Sequence, residues 1–169
     1  GAGYVSDRCM RASDIADNLG ETNNPEWKTI VFDAKSGSFI APNGSVGFRW
    51  GEEGKWNLLE KHAGGQQQTE AELSCINSRD TVVSVGFPHY QPGEDKLLYR
   101  NVPVRKIKLA SGEEALVTSV FDMQVAQYGV DRGLGGGNVA KSYDDANVAY
   151  TPAWASKVSG VKAADIERT

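Results

Sequence analysis

The sequence predicts an α+β fold, with a β-rich middle of antiparallel hairpins and short helices at both ends. Two observations carry this. Segments dense in β-branched and aromatic residues fill most of 27–120 and are separated by strong turn signals. Helical spacing with N-cap residues is concentrated near the two ends. Strands gathered in the middle, with helices outside them, favour an antiparallel sheet.

Ser13 reads as an N-cap with Asp14 in the first turn, Ile15, Ala16 and Leu19 near helical spacing, and Gly20 as the stop. This predicts a helix over 13–19. Residues 27–32 (WKTIVF) predict a strand. Lys35-Ser36-Gly37 turns the chain, and 38–41 return beside it. Pro42-Asn43-Gly44 is another turn. Val46, Phe48 and Trp50 alternate with Gly47 and Arg49, the period of a half-buried strand. A short element over 55–59 packs through Trp56, and 63–69 (AGGQQQT) is a flexible loop.

Strands are predicted over 71–76 and 81–87, with a loop over 88–95. Residues 102–109 and 115–120 flank Ala110-Ser111-Gly112-Glu113 as a hairpin. From Asp122 the pattern turns helical through Met123, Val125, Ala126 and Tyr128, ending at Gly129. Thr151 caps a helix over 152–158 with Pro152 at its first position, and Gly160 stops it. Residues 163–169 begin a further helix. The chain thus divides into a mainly β-rich part (13–129), a Gly-rich loop (130–150) and a helical start of a next segment (151–169).

The 169 residues are 40% hydrophobic and 24% charged, enough for one domain with a core. Net charge is -4 with Lys and Arg scattered, so no basic stripe invites nucleic acid. Apolar runs are too short to span a bilayer, so direct membrane insertion is not expected, and the piece reads as soluble. The start, Gly1-Ala2-Gly3-Tyr4, has neither the charged nor the apolar region of a signal peptide. The absent Met and the unfinished helix at 163–169 suggest a fragment. Cys9 and Cys75 read as free, buried thiols of a reducing compartment, with a disulfide left open.

Chemistry-bearing patterns are sparse. The run Gly133-Leu134-Gly135-Gly136-Gly137-Asn138 lacks the Lys-Ser/Thr of a phosphate loop and the third glycine of a dinucleotide fingerprint. It reads as a mobile loop. His62 and His89 have no partner at metal-binding spacing and read as loop histidines. Asp144-Asp145 and Glu52-Glu53 are adjacent carboxylates and read as solvated charge or caps, not acid–base pairs. No nucleophile elbow surrounds any serine. Trp27, Trp50, Trp56 and Trp154, with Phe48, read as core rather than as a stacking platform. No catalytic residue and no metal ligand is assigned, and cofactor-binding residues stay unassigned.

One ordered series of segments is specific. It begins with Asn23-Asn24-Pro25-Glu26-Trp27-Lys28-Thr29 and Ala41-Pro42-Asn43-Gly44-Ser45, then Gly47-Phe48-Arg49-Trp50-Gly51 and Gly54-Lys55-Trp56-Asn57-Leu58. It continues through Ala115-Leu116-Val117-Thr118, Phe121-Asp122, Tyr128-Gly129 and Arg132-Gly133-Leu134. It closes with Ser142-Tyr143-Asp144-Asp145, Tyr150-Thr151-Pro152-Ala153-Trp154-Ala155 and Ser159-Gly160-Val161. Over nearly its whole length the chain resembles an internal piece of the alpha subunit of membrane-bound respiratory nitrate reductase, within the molybdopterin oxidoreductase family.

The resemblance implies a catalytic subunit that reduces nitrate to nitrite, or a nitrite-oxidising relative. Its cofactors would be molybdenum bis(molybdopterin guanine dinucleotide) and an iron–sulfur cluster. Its partners would be the remainder of the alpha subunit, an iron–sulfur beta subunit and a haem-bearing gamma subunit, at the cytoplasmic side of the membrane. In that family the cluster ligands and the molybdenum-ligating aspartate lie upstream, so neither Asp144 nor Asp145 inherits a metal role. The isolated piece is expected to hold no cofactor and to be inactive and structural. The alternative is a free-standing β-rich binding or scaffold module without catalysis.

Overall fold

The structure is a computed structural model and describes residues 9–16, 28–42, 67–89 and 96–169. Among them the order is α1 (Ala12–Ile15), β1 (Val31–Asp33), β2 (Ser38–Ile40), a 3-10 turn (Cys75–Asn77), β3 (Thr81–Pro88), β4 (Leu97–Lys108), β5 (Glu114–Val117), α2 (Val120–Gln127), α3 (Pro152–Ser159) and α4 (Ala163–Arg168). The strands make a two-stranded sheet, β1-β2, and a three-stranded sheet, β3-β4-β5. This is the antiparallel α+β arrangement read from the sequence. The described residues fall into two compact units, one drawn from Ser74–Arg105 and Leu116–Thr169, the other from Arg8–Leu73 and Lys106–Ala115.

In the second unit, β1 and β2 pair Val31 with Ile40, Phe32 with Phe39 and Asp33 with Ser38. Gly37, at φ 67, closes the turn by donating its N–H to the Asp33 carbonyl at 2.8 Å; a left-handed residue there suits glycine. Phe32 and Phe39 meet edge to face at 5.3 Å, a favoured aromatic geometry. The far edge of β1 is taken by 70–72: Ala34 N–H donates to Glu70 O at 2.8 Å and Glu72 N–H to Phe32 O at 2.9 Å. Asp33 is fully buried at this junction, its carboxylate accepting the Glu70 and Ser36 N–H groups at 2.7 and 3.1 Å. The Ser36 side chain first, then the Glu70 N–H, with smaller help from the Ser36 and Lys35 N–H groups, hold its pKa down to about 2 against the opposing effect of burial. The 109–113 turn closes as expected, with Leu109 N–H on Glu113 O.

In the first unit, β3 and β4 pair from Thr81–Val104 to Pro88–Leu97. Directly opposed residues share a face, so Val83, Val85 and Phe87 point with Val102 and Arg100. Helix α2 covers that face. Val85, Phe87, Val102 and Ala126 form the buried cluster, with Val83 and Met123 packed against it. Each large apolar side chain so buried contributes about 1.5–3 kcal/mol. Helix α3 follows the sequence reading closely: the Thr151 hydroxyl accepts the Trp154 N–H at 3.1 Å, and Gly160 takes the left-handed cap at φ 76.

Three boundaries differ from expectation. Residues 71–76 are not one strand: Ala71 forms only a bridge, and Cys75–Asn77 is a 3-10 turn capped by Ser74. Strand β5 stops at Val117, because Ser119 caps α2 by accepting the Asp122 N–H at 2.9 Å. Strand β4 begins at Leu97, well before Val102. Helix α1 runs from Ala12 to Ile15 with Arg11, not Ser13, as its N-cap, and 17–19, the rest of that expected helix, lie outside the described residues with Gly20. So do Trp27, the 46–50 strand, the 55–59 element and most of the 63–69 loop. No described helix is long and apolar enough to cross a membrane.

Candidate functional site

The chemistry of the first unit gathers around two buried charges. Asp122, in the first turn of α2, is completely buried. Its Oδ1 accepts from Ser74 Oγ at 2.7 Å and from Arg132 at 2.5 Å. Its Oδ2 accepts from the Cys75 N–H at 2.7 Å and from Ser119 Oγ at 2.9 Å. Arg132 also donates to Ser74 Oγ at 2.7 Å and lies 5.7 Å from the Phe121 ring centre. Burial alone pushes the Asp122 carboxyl up; the Arg132, Ser74, Cys75 and Ser119 donors outweigh it, and its pKa falls below the ordinary value. A carboxylate has about four lone-pair sites, and here they are taken. Asp122 can neither accept a substrate proton nor ligate a metal without losing a partner.

Arg100 lies on β4 and is 1% exposed. Its partners are backbone carbonyls: Nε donates to Asn138 O at 2.7 Å, Nη1 to Gln127 O at 2.6 Å and Nη2 to Ala149 O at 3.3 Å. The Tyr150 ring faces the guanidinium at 5.5 Å. Burial pulls the Arg100 pKa down, and Tyr150 partly restores it.

These groups anchor the glycine run. Asn101 donates to Leu134 O at 3.0 Å, and Asn138 Nδ2 donates to Tyr99 O at 3.4 Å. Val130 and Ala140 bridge in parallel, with Ala140 N–H on Gly129 O, closing the loop base. The run read as mobile is therefore tied to Tyr99, Arg100 and Asn101, three successive residues of β4. A Cβ at Gly136 would stand 2.9 Å from the Asn101 amide, so this approach requires glycine.

The other expected positions are spread out. Asp144 is exposed, and Asp145 accepts the Asn147 N–H at 3.2 Å in a local turn. His89 meets Trp154 edge-on at 6.3 Å, and its buried Nδ1 has no hydrogen-bond partner. Trp154 also meets Tyr150 at 5.2 Å, within an aromatic packing group. Neither thiol is in a disulfide, but Cys9 is exposed and Cys75 half-buried rather than buried. His62, Glu52, Glu53, Trp50, Trp56 and Phe48 lie outside the described residues. Among the described residues no group of three His, Cys, Asp or Glu could hold a metal. An open groove beside α2 is lined by Phe87, Pro88, Val120, Met123 and Tyr128, without a charged group.

Sequence reasoning missed Arg100 and Asp122. The signal for Asp122 was present: Ser119 and Asp122 have the spacing of a helix-capping pair. Nothing local marks Arg100.

No family model matches the chain. Among curated proteins, the respiratory nitrate reductase 1 alpha chain of Escherichia coli (strain K12) is 46% identical over 98% of this chain and 14% of its own length. The respiratory nitrate reductase 2 alpha chain of the same strain is 43% identical over 97% of this chain. The chain is homologous to an internal segment of nitrate reductase alpha chains. It spans 14% of the length of these two relatives. The nitrate reductase alpha chain of Bacillus subtilis (strain 168) is 37% identical over 94% of the chain and 12% of its own length.

Proposed function

We propose that the chain is a segment of the catalytic alpha subunit of a molybdenum-dependent nitrate reductase, which reduces nitrate to nitrite with electrons from quinol. The single supporting observation is the 46% identity to a respiratory nitrate reductase alpha chain over 98% of this chain. Within such a subunit the metal would perform the oxygen-atom transfer, and the protein would position it. The complete enzyme would carry molybdenum bis(molybdopterin guanine dinucleotide) and an iron–sulfur cluster. It would work with iron–sulfur and haem-bearing partner subunits at the cytoplasmic side of the membrane.

The described residues do not fit a metal-ligating role. Asp122 is saturated by its donors, and no third ligand accompanies any pair. The segment's own contribution is scaffolding. It presents a glycine loop and a capped helix, both fixed to one sheet by buried side chains.

The test compares the intact protein with the 169-residue segment. Molybdenum content and nitrate reduction by a reduced viologen dye are measured on both. The intact protein is expected to contain molybdenum and turn over; the segment is expected to do neither. An intact protein without molybdenum would refute the assignment. Stoichiometric metal or turnover in the segment alone would refute its scaffolding role.

A further inference from the structure

Arg100 has unusual surroundings. Among the described residues its five N–H donors meet only the three carbonyls of Gln127, Asn138 and Ala149, and no carboxylate neutralises it. All three carbonyls border or belong to 128–150, the stretch that carries the glycine loop. Three left-handed positions lie around the guanidinium. Gly129 is at φ 72, Asn138 at φ 61 and Tyr150 at φ 76. Two of them are not glycine; asparagine is strained there only mildly, but the strain at Tyr150 persists only where surrounding contacts impose it.

We propose that Arg100 is a latch, and that residues 133–150 form a strap that opens from β4 as one cooperative unit, while Arg132 stays paired with Asp122. Closing the strap buries a cation against neutral carbonyls and holds Asn138 and Tyr150 in left-handed conformations. Opening releases both costs, because the guanidinium regains water and the two residues relax. The sheet beneath does not depend on the strap: β3 and β4 keep their own ladder, and α2 keeps its core cluster. Opening is thus a local event, distinct from unfolding. Lysine cannot replace arginine here, since only a planar fork reaches three divergent carbonyls at once.

Hydrogen-exchange mass spectrometry of the intact protein tests this. With Arg100→Lys, which keeps the charge, peptides covering Ala140 are expected to exchange at least tenfold faster. Peptides in β3 and the paired part of β4 are expected to change less than twofold. Uniform acceleration, or none, overturns the latch. Should Arg100→Lys fail to fold, Gly129→Ala decides: its Cβ would stand 2.8 Å from Arg100 Nη2 and should give the same local pattern. A Gly129→Ala protein without that pattern also overturns the proposal. Asn138→Gly keeps the carbonyl while removing the amide and the left-handed strain; it is expected not to accelerate exchange. Acceleration equal to that of Arg100→Lys would place the latch on the Asn138 side chain instead and overturn the assignment.

Discussion

Arg132 donates to Asp122 across 2.5 Å, and the two share Ser74 as a common neighbour. The carboxylate is fully buried and the guanidinium keeps 15% of its side chain exposed. Through this pair the start of α2, the Ser74–Cys75 turn and the entry to the glycine loop meet at one point. A pair of this kind is worth most as a constraint, because removing either partner strands the other.

Asp122→Asn is expected to destabilise the protein by about 3–5 kcal/mol, since it leaves Arg132 without its counter-charge. Arg132→Met is expected to cost less, because Ser74, Ser119 and the Cys75 N–H still serve the carboxylate. Urea unfolding of both variants would check the order. A larger loss for Arg132→Met would contradict it.

Acid should weaken the fold through two carboxylates. Asp33 and Asp122 both sit below their ordinary pKa in the folded chain, Asp33 at about 2. Their stabilisation is fully present above the unfolded carboxylate value of about 3.9 and is lost as pH falls through the folded value. For Asp33 the window runs from about 4 down to about 2. The urea midpoint of the wild-type protein should drop more between those pH values than that of Asp33→Asn. Parallel profiles would count against the linkage.

Thr151 both caps α3 and ties it back, since its hydroxyl donates to Asp145 O at 2.8 Å while accepting the Trp154 N–H. Thr151→Ala is expected to cost about 1–2 kcal/mol by chemical denaturation. Thr151→Ser keeps the hydroxyl and should recover most of it.

Gly160 isolates the cost of a left-handed cap. A Cβ there would meet nothing within 4 Å, so Gly160→Ala carries only the backbone penalty of φ 76, about 1 kcal/mol. Gly160→Asn should lose less, as asparagine tolerates that conformation. Thermal unfolding of the pair would separate them.

What was legible in the sequence was local. Thr151-Pro152 and Gly160 bracket α3 because capping needs only neighbours. The β-branched and aromatic density over 81–87 pointed to β3, and Lys35-Ser36-Gly37 to the first hairpin. What was illegible was long-range. Residues 71–76 look like a strand, yet Ser74 and Cys75 are drawn into a turn by Asp122, 48 and 47 positions away. Arg100 and Asn101 break an apolar pattern and so hide the first half of β4. The charge that reads as solvent-facing is among the most buried side chains of the described residues. Its partners lie 27, 38 and 49 positions on, beyond the reach of any window.

The anchoring of the glycine run to Tyr99, Arg100 and Asn101 also bears on how molecules of this protein meet one another. Strand β5 has four residues and joins β4 through the 109–113 turn, so it pairs only toward the C-terminal end of β4. The earlier half of that strand would otherwise present bare backbone donors and acceptors to any extended segment of another molecule. Among the described residues the loop meets that margin at Tyr99 O, which accepts from Asn138 Nδ2 at 3.4 Å. A stretch that looks like slack in the sequence therefore blunts part of an edge open to intermolecular pairing.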